Sequence, residues 1–332
     1  MFFKMHYFIF SSSLILGTLM AVSSNSWFIV WAGLEVNLMS MIPLIIIKLN
    51  SSLSEAAIKY FIPQAMASLL IIISSLVSLY TDTMNSFFLE TQMITLALFI
   101  KAGMAPFHLW FPQISCELNW IQCLILFTWQ KLAPLMILFF INSSLISLVA
   151  MISAIMGSVG GLNQNNMKIL LSYSSISHAG WMSSSCFSNF KTWSFYYLSY
   201  VIISLNLIFI IHKNNISKIS SISFLNKKNT SIMSIIISMF SLGGLPPLLG
   251  FYPKLMVIKA LIFSKMFFLL SILLTSSLLS LFFYFRTITS VLNLMTPLNM
   301  KMNFKSTSFN SYELFSTIFL NIFFPSMILI AL

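Results

Sequence analysis

Five ionisable residues stand where apolar runs leave no obvious water: Glu35 in WFIVWAGLEVNLMSMIPL, Lys101 in TLALFIKAGMAPFHLWFP, Lys131 in ILFTWQKLAPLMILFF, His178 in ILLSYSSISHAGWM, and Lys254 directly after SLGGLPPLLGFYP. A charge at the centre of a bilayer costs about 2.5–3.5 kcal/mol, so such residues mark transport pathways by default. One acid, three lysines and a histidine at similar depth suit proton movement. Burial disfavours a lysine's charge and a nearby acid restores it, so small displacements can switch its protonation. A metal-cation site would need several converging oxygens, and Glu35 is read as the one acid inside a span. Each residue also has a plainer reading. Glu35 could be a packing partner of a lysine, Lys101 and Lys131 could snorkel to an interface, His178 could be a hydrogen-bonded core histidine, and Lys254 an interfacial lysine. His108 with Trp110 reads as an interfacial anchor.

The elements that hold these residues must be membrane helices. The 332 residues are 58% hydrophobic and 7% charged, with a mean hydropathy of +0.95. Soluble domains carry about 25% charged residues, so this chain cannot cover a water-facing surface. Apolar runs of the length needed to span a bilayer recur throughout, and the alternating short strands of a β-barrel are absent. About eleven spans are expected: 4–22, 27–47, 55–79, 87–107, 120–140, 145–162, 167–186, 193–211, 231–249 continuing to 263, 267–288 and 313–330. The N-terminal run is expected to be the first transmembrane helix rather than a leader, because a second span follows with almost no loop and no Arg-rich segment precedes it. Abundant Phe, Met, Ile and Asn with a single arginine, Arg286, suit an AT-rich organellar genome.

The net charge of +11 raises the question of nucleic acid, and the distribution answers it. Counting spans from the N-terminus puts Lys4, Lys48, Lys59, Lys168, Lys213, Lys218, Lys227, Lys228, Arg286, Lys301 and Lys305 on one side. Asp82, Glu90, Lys191 and the Lys254–Lys265 region fall on the other. This is the positive-inside asymmetry and places the N-terminus on the cytoplasmic or matrix side. It is not the folded basic face with interleaved aromatics that nucleic acid requires. Cys116, Cys123 and Cys186 have neither CxxC spacing nor histidine neighbours. There is no glycine-rich nucleotide loop, no haem attachment motif and no iron–sulfur cysteine set, so redox chemistry falls to other chains.

An internal echo ties the sites together. Gly103, Pro106 and Pro112 follow the pattern G-x-x-P-x-x-x-x-x-P, and so do Gly244, Pro247 and Pro253. The two sets lie five spans apart, hence in opposite orientation, which is the mark of an inverted repeat around a central pathway. Two unrelated proline breaks are the alternative. The four residues Gly243, Gly244, Pro246 and Pro247 predict that the ninth span is interrupted, because each proline removes a donor and clashes with the preceding turn.

With NSWFIVWAGLEVNLMSMIPL, KAGMAPFHLWFP, TWQKLAPL, GGLNQNNMKILLSYSSISHAGWM and SLGGLPPLLGFYPK in the same order, the chain resembles the antiporter-like membrane subunits of respiratory complex I, relatives of Mrp cation/proton antiporters. The resemblance covers most of the sequence. It implies one transmembrane domain over 1–332, with inverted five-helix units near 1–162 and 167–290, two discontinuous helices and a closing helix at 313–330. It gives Glu35 the place of the family's helix glutamate, Lys101 that of its paired lysine and Lys131 that of the central connecting lysine. Lys254 takes the place of the lysine in the second broken helix, and His178 that of the histidine in SSI-x-H-x-G. It further implies NADH, FMN, iron–sulfur clusters and ubiquinone in other subunits, none bound by this chain, with neighbouring membrane-arm subunits as partners in the mitochondrial inner membrane. Two departures stand out: Pro63 in KYFIPQAMAS, which could kink its helix, and Leu255 after Lys254, where a tryptophan is common. Region 187–233 matches weakly and carries no expectation of function. A stand-alone antiporter and a purely structural scaffold remain the alternative readings.

Overall fold

A computed structural model of the chain describes residues 2–46, 50–80, 84–141, 143–221 and 229–299, with Thr317 and Asn321. Lys48, Asp82, Lys227, Lys228, Lys301 and Lys305, and the expected closing span, lie outside the described residues. Proximity along the backbone divides the chain into Met1–Ser153 and Ala154–Leu332. Among the described residues every regular element is helical. The only pairing of β type is an isolated bridge between Asn166 and Lys218.

The first unit holds α1 (Phe2–Ser23), α2 (Trp27–Ile45), α3 (Ser51–Tyr80), α4 (Met84–Ala102), α5 (Trp110–Glu117), α6 (Trp120–Phe127) and α7 (Trp129–Phe140). Helix α8 (Leu145–Gly161) carries the chain past the division. The second unit holds α9 (Met167–Ser184), α10 (Phe190–Lys213), α11 (Asn229–Gly243), α12 (Phe251–Phe263) and α13 (Phe267–Asn299). In the first, α1 packs on α2, α2 and α4 on α3, and α7 on α4. In the second, α11 packs on α10 and α13, and α9 on α10, α12 and α13.

Six helices among the described residues are long and apolar enough to cross a membrane: Met5–Ser23, Trp27–Ile45, Ser51–Val77, Trp120–Phe140, Phe190–Lys213 and Phe267–Thr289. Burial across the described residues is inside-out. Phe263 is 86% exposed and Phe8 73%, whereas Lys131 is 1% exposed and Lys101 4%. Serine-rich helices are possible in such a setting because the hydroxyls are satisfied internally. In α9, Ser172, Ser174, Ser175 and Ser177 each donate to the carbonyl three residues back, at 2.6–2.8 Å, so these hydroxyl protons are satisfied within the helix.

Two helices end abruptly at glycine, and both ends are built alike. Gly103 has φ 68° and Gly244 has φ 84°, a left-handed conformation that glycine adopts without a Cβ penalty. At the first, Gly103 N–H donates to Ile100 O (3.1 Å) and Met104 N–H to Phe99 O (3.0 Å). At the second, Gly244 N–H donates to Ser241 O (3.1 Å) and Leu245 N–H to Phe240 O (3.3 Å). Both are Schellman closures. The chain resumes as α5 at Trp110 and as α12 at Phe251. The first break includes a cis Ala105–Pro106 peptide.

The interruption of the ninth span is therefore present, between Gly243 and Phe251. Boundaries also differ from expectation, most at the tenth span, which runs to Asn299 instead of 288. The fourth span ends at Ala102 instead of 107, because the Gly103 closure precedes Pro106. A short amphipathic helix, α5, occupies what read as a connection. The fifth span is split at Thr128, whose ψ is −75°. Pro134 lacks the N–H that would bond Gln130 O, Lys131 N–H turns to Thr128 O (3.1 Å), and Thr128 Oγ1 bonds Leu124 O (2.7 Å). Pro63, by contrast, lies inside an uninterrupted α3.

Candidate functional site

In the first unit the charged residues gather around the Gly103 break. Lys101 sits in the last turn of α4, buried, and its Nζ has no hydrogen-bond partner. A helical side chain leans toward its own helix N-terminus, so Lys101 points away from the carbonyls at the end of α4, where Phe99 O and Ile100 O already accept from Met104 and Gly103. Its Nζ instead meets a small polar cavity lined by Asn37 of α2, Tyr60 and Gln64 of α3, and Gln130 and Pro134 of α7, with about 10 Å³ open to a water centre. One water needs about that much room. Glu35, on the turn of α2 that carries Asn37, is near enough to act electrostatically on both Lys101 and Tyr60. No ion pair closes between them: among the described residues the one ion pair is Glu55–Lys59, an exposed i,i+4 contact at 2.5 Å. Glu35 Oε1, Asn37 Oδ1, Lys101 Nζ and Gln130 Nε2 are all buried without a partner. Three of these groups, on Asn37, Lys101 and Gln130, line one cavity, which amounts to a site that water or a proton would complete.

Lys131 follows Gln130 on α7. Its Nζ lies 4.7 Å from the centroid of the Phe111 ring, a cation–π contact that stabilises a desolvated ammonium by roughly 2 kcal/mol or more. Phe111 is held in turn by Trp110 and Phe127, with ring centroids at 5.5 and 5.6 Å. The segment after the Gly103 break thus supplies the platform for the second lysine.

In the second unit Lys254 sits in the first turn of α12 and folds back across its break. Its Nζ donates to Gly243 O, the last carbonyl of α11, at 2.8 Å, and lies 5.8 Å from the Trp181 ring centroid. A cation at a helix C-terminus is favourably placed. Three residues before Trp181, His178 is buried, with Nδ1 3.0 Å from the Tyr196 hydroxyl. The structure therefore brings Glu35 and Lys101 together with Lys131 flanking them. Separately, it places Lys254 beside Trp181 of α9, the helix that carries His178.

Residues 24–280 match the family described as NADH:quinone oxidoreductase/Mrp antiporter, TM. The chain belongs to that family. Among curated relatives, NADH-ubiquinone oxidoreductase chain 2 of Locusta migratoria is 41% identical over 286 residues, 84% of this chain and 83% of that one. Its namesake in Anopheles gambiae is 40% identical over 291 residues, 85% of each chain. The fold is shared with a chain of respiratory complex I from Thermus thermophilus with bound Aureothin, at a TM-score of 0.78 and 21% identity, covering 95% of this chain and 79% of that one. It is also shared with a chain of the Mrp complex from Dietzia sp. DQ12-45-1b, at 0.74 and 18%, covering 84% and 59%.

Several residues of this family member escaped the sequence reading. Asn37, Gln64 and Gln130 are common polar residues with no local signature. What sets them apart is that they face Lys101, and that is a tertiary fact. Glu90, read as a charge outside the membrane interior, is buried in α4, so Glu35 is not the only buried acid. His108 is not an interfacial anchor. It is 4% exposed, with Nδ1 3.2 Å from Pro106 O, because the break folds it inward. Tyr196 and Tyr200 fall in the region that carried no functional expectation. Their i,i+4 spacing, which puts both on one face of α10, was the available signal.

Proposed function

We propose that this chain is a proton-translocating membrane subunit of the mitochondrial NADH:ubiquinone oxidoreductase. The observation that carries the reading is the buried, unpartnered Lys101 ammonium, which lines a water-sized polar cavity and lies within electrostatic reach of Glu35. Glu35 offsets part of the cost of an ammonium at that depth. When the carboxylate is neutralised or drawn away, that compensation is lost and Lys101 releases its proton. A water among Gln130, Asn37 and Lys101 hands it toward Lys131, whose charged form Phe111 stabilises. His178 and Lys254 continue the same work in the second half. The chain is thereby part of a translocase while binding no redox group itself: NADH, FMN, iron–sulfur clusters and ubiquinone belong to partner subunits. The partners are neighbouring antiporter-like and small subunits of the membrane arm, and lipid, with no role for nucleic acid.

The finer architecture belongs to the same proposal: a single domain over 1–332, about eleven spans, two inverted five-helix repeats near 1–162 and 167–290, and a last helix at 313–330. The two like-built glycine breaks support it. The N-terminus lies on the matrix side. In support, Met167 N–H bonds Ser217 O (3.0 Å), Ile219 N–H bonds Asn165 O (3.1 Å), and Arg286 Nη2 bonds Gln164 O (3.2 Å). These bonds bring Lys168, Lys218 and Arg286 to one end of the second unit, the clustering that the positive-inside rule asks for. The test is purification of the chain from mitochondrial membranes. Recovery in one assembly with NADH-oxidising subunits, and depressed proton-coupled turnover in Glu35→Gln, are the expected results. Recovery alone, with cation/proton exchange activity, would overturn the reading.

A further inference from the structure

The cluster around His178 holds more hydroxyls than a packing role for the imidazole needs. Tyr196 and Tyr200 on α10 both face the imidazole. Tyr196 bonds Nδ1 at 3.0 Å, and the Tyr200 ring lies 5.2 Å from the imidazole, centroid to centroid. Tyr284 on α13 lies beside both phenols, and its hydroxyl is buried with no hydrogen-bond partner. The Tyr200 hydroxyl reaches Ser175, and Tyr284 lies beside Ser174, one turn of α9 before His178. Ser174 and Ser175 spend their own protons on the carbonyls of Leu171 and Ser172, so toward the phenols they act as acceptors. All five hydroxyl-bearing residues are buried. Among the described residues no carboxylate is recorded against these hydroxyls, and Lys254 stands near Trp181, its Nζ 5.8 Å from that ring's centroid.

Resting on the reading of His178 as a proton carrier, we propose that Tyr196 completes it. The Tyr196 hydroxyl donates to His178 Nδ1, which holds the imidazole as the Nε2–H tautomer, and the phenol–imidazole pair is the relay unit of the second half. The step balances without any co-reactant. A proton reaching the Tyr196 oxygen from the hydroxyl side displaces the phenolic proton onto Nδ1. The resulting imidazolium loses its Nε2 proton to the opposite side, leaving neutral tyrosine and neutral imidazole with the proton now on Nδ1. A flip of the imidazole ring then carries the protonated nitrogen to the exit side and turns the bare nitrogen to the phenol, so the next proton can enter without reversing the first. Each hydroxyl can donate and accept at once, so the relay passes a proton through the membrane interior without keeping a fixed charge there. The unit in Met1–Ser153 needs an acid beside its lysine, and this one does not.

The experiment uses the assembled complex in sealed vesicles. In Tyr196→Phe, which keeps the ring, the expected result is a loss of protons translocated per NADH oxidised, together with a shift of the His178 ring C–N band in infrared difference spectra. Subtracting spectra of His178→Gln assigns that band. In the unaltered complex at rest it should report the Nε2–H tautomer bonded through Nδ1, a readout that stands even if the phenylalanine variant fails to assemble. An Nδ1–H tautomer at rest would overturn the proposal. So would Tyr196→Phe pumping at the normal ratio while His178→Gln does not. Normal pumping in His178→Gln would instead overturn the underlying reading of His178.

Discussion

At Gly103 and at Gly244 the chain leaves a helix through the same pair of hydrogen bonds, yet the lysine beside each glycine is held in opposite ways. Lys254 comes from the helix after the break and caps Gly243 O at 2.8 Å. Lys101 comes from the helix before the break, leans away from the carbonyls it follows, and is left without a partner. One closure thus produces a capped ammonium, the other an ammonium that only a carboxylate or water can satisfy. A buried cation is stable when its donors are used and labile when they are not. The comparison teaches that the break supplies only the gap. Which side of it the lysine is anchored on decides whether that lysine braces the fold or stands ready to exchange.

The largest effect on stability should come from removing the capped lysine. Lys254→Met strips Gly243 O of a charged donor and should lower the melting stability of the assembled complex by about 2 kcal/mol, the usual worth of a hydrogen bond to a charged group. Lys101→Met should leave the melt unchanged or raise it, since it removes a desolvated charge with no partner. Equal losses in both would erase the distinction.

Next come the glycines. A non-glycine residue in the left-handed region costs roughly 1–2 kcal/mol, so Gly103→Ala and Gly244→Ala should both destabilise. A Cβ at 103 would meet Phe111 Cδ2 at 2.9 Å, while one at 244 would meet Lys254 Cδ and Nζ at 3.0 Å. Gly103→Ala should therefore displace the platform of Lys131 and cost more, because a packed ring cannot swing aside. Gly244→Ala should chiefly dislodge the Lys254 cap. Making it in the Lys254→Met background should then cost less than the sum, a double-mutant coupling absent for Gly103→Ala with Lys101→Met.

The smallest effect is expected from Gln64→Leu. It removes the bond from Gln64 Nε2 to Lys101 O, 3.2 Å long, and should cost about 1 kcal/mol in the melt.

What the sequence made legible follows the range of the forces involved. Gly103, Pro106, Gly244 and Pro247 act through their own backbone, so the breaks could be read locally, as could the apolar helices and the burial of Lys101, Lys131, His178 and Lys254. The split at Thr128 was harder, because its cause, Pro134, lies six residues downstream in an apolar run. The partners were not legible. Gln130, Asn37 and Tyr196 matter because helices distant in sequence bring them to a lysine or a histidine. Nothing within either broken segment says that Lys254 is capped and Lys101 is not: that depends on the side-chain direction and on what the neighbouring helices offer.

The most direct test is the proton-to-electron ratio of the assembled complex carrying Lys101→Met, measured in sealed vesicles during NADH oxidation by ubiquinone. The methionine keeps the apolar stem and removes the charge. The account predicts a complex that assembles and melts normally but translocates sharply fewer protons per electron. A fully assembled Lys101→Met complex pumping at the normal ratio would contradict it and leave Lys101 a structural residue.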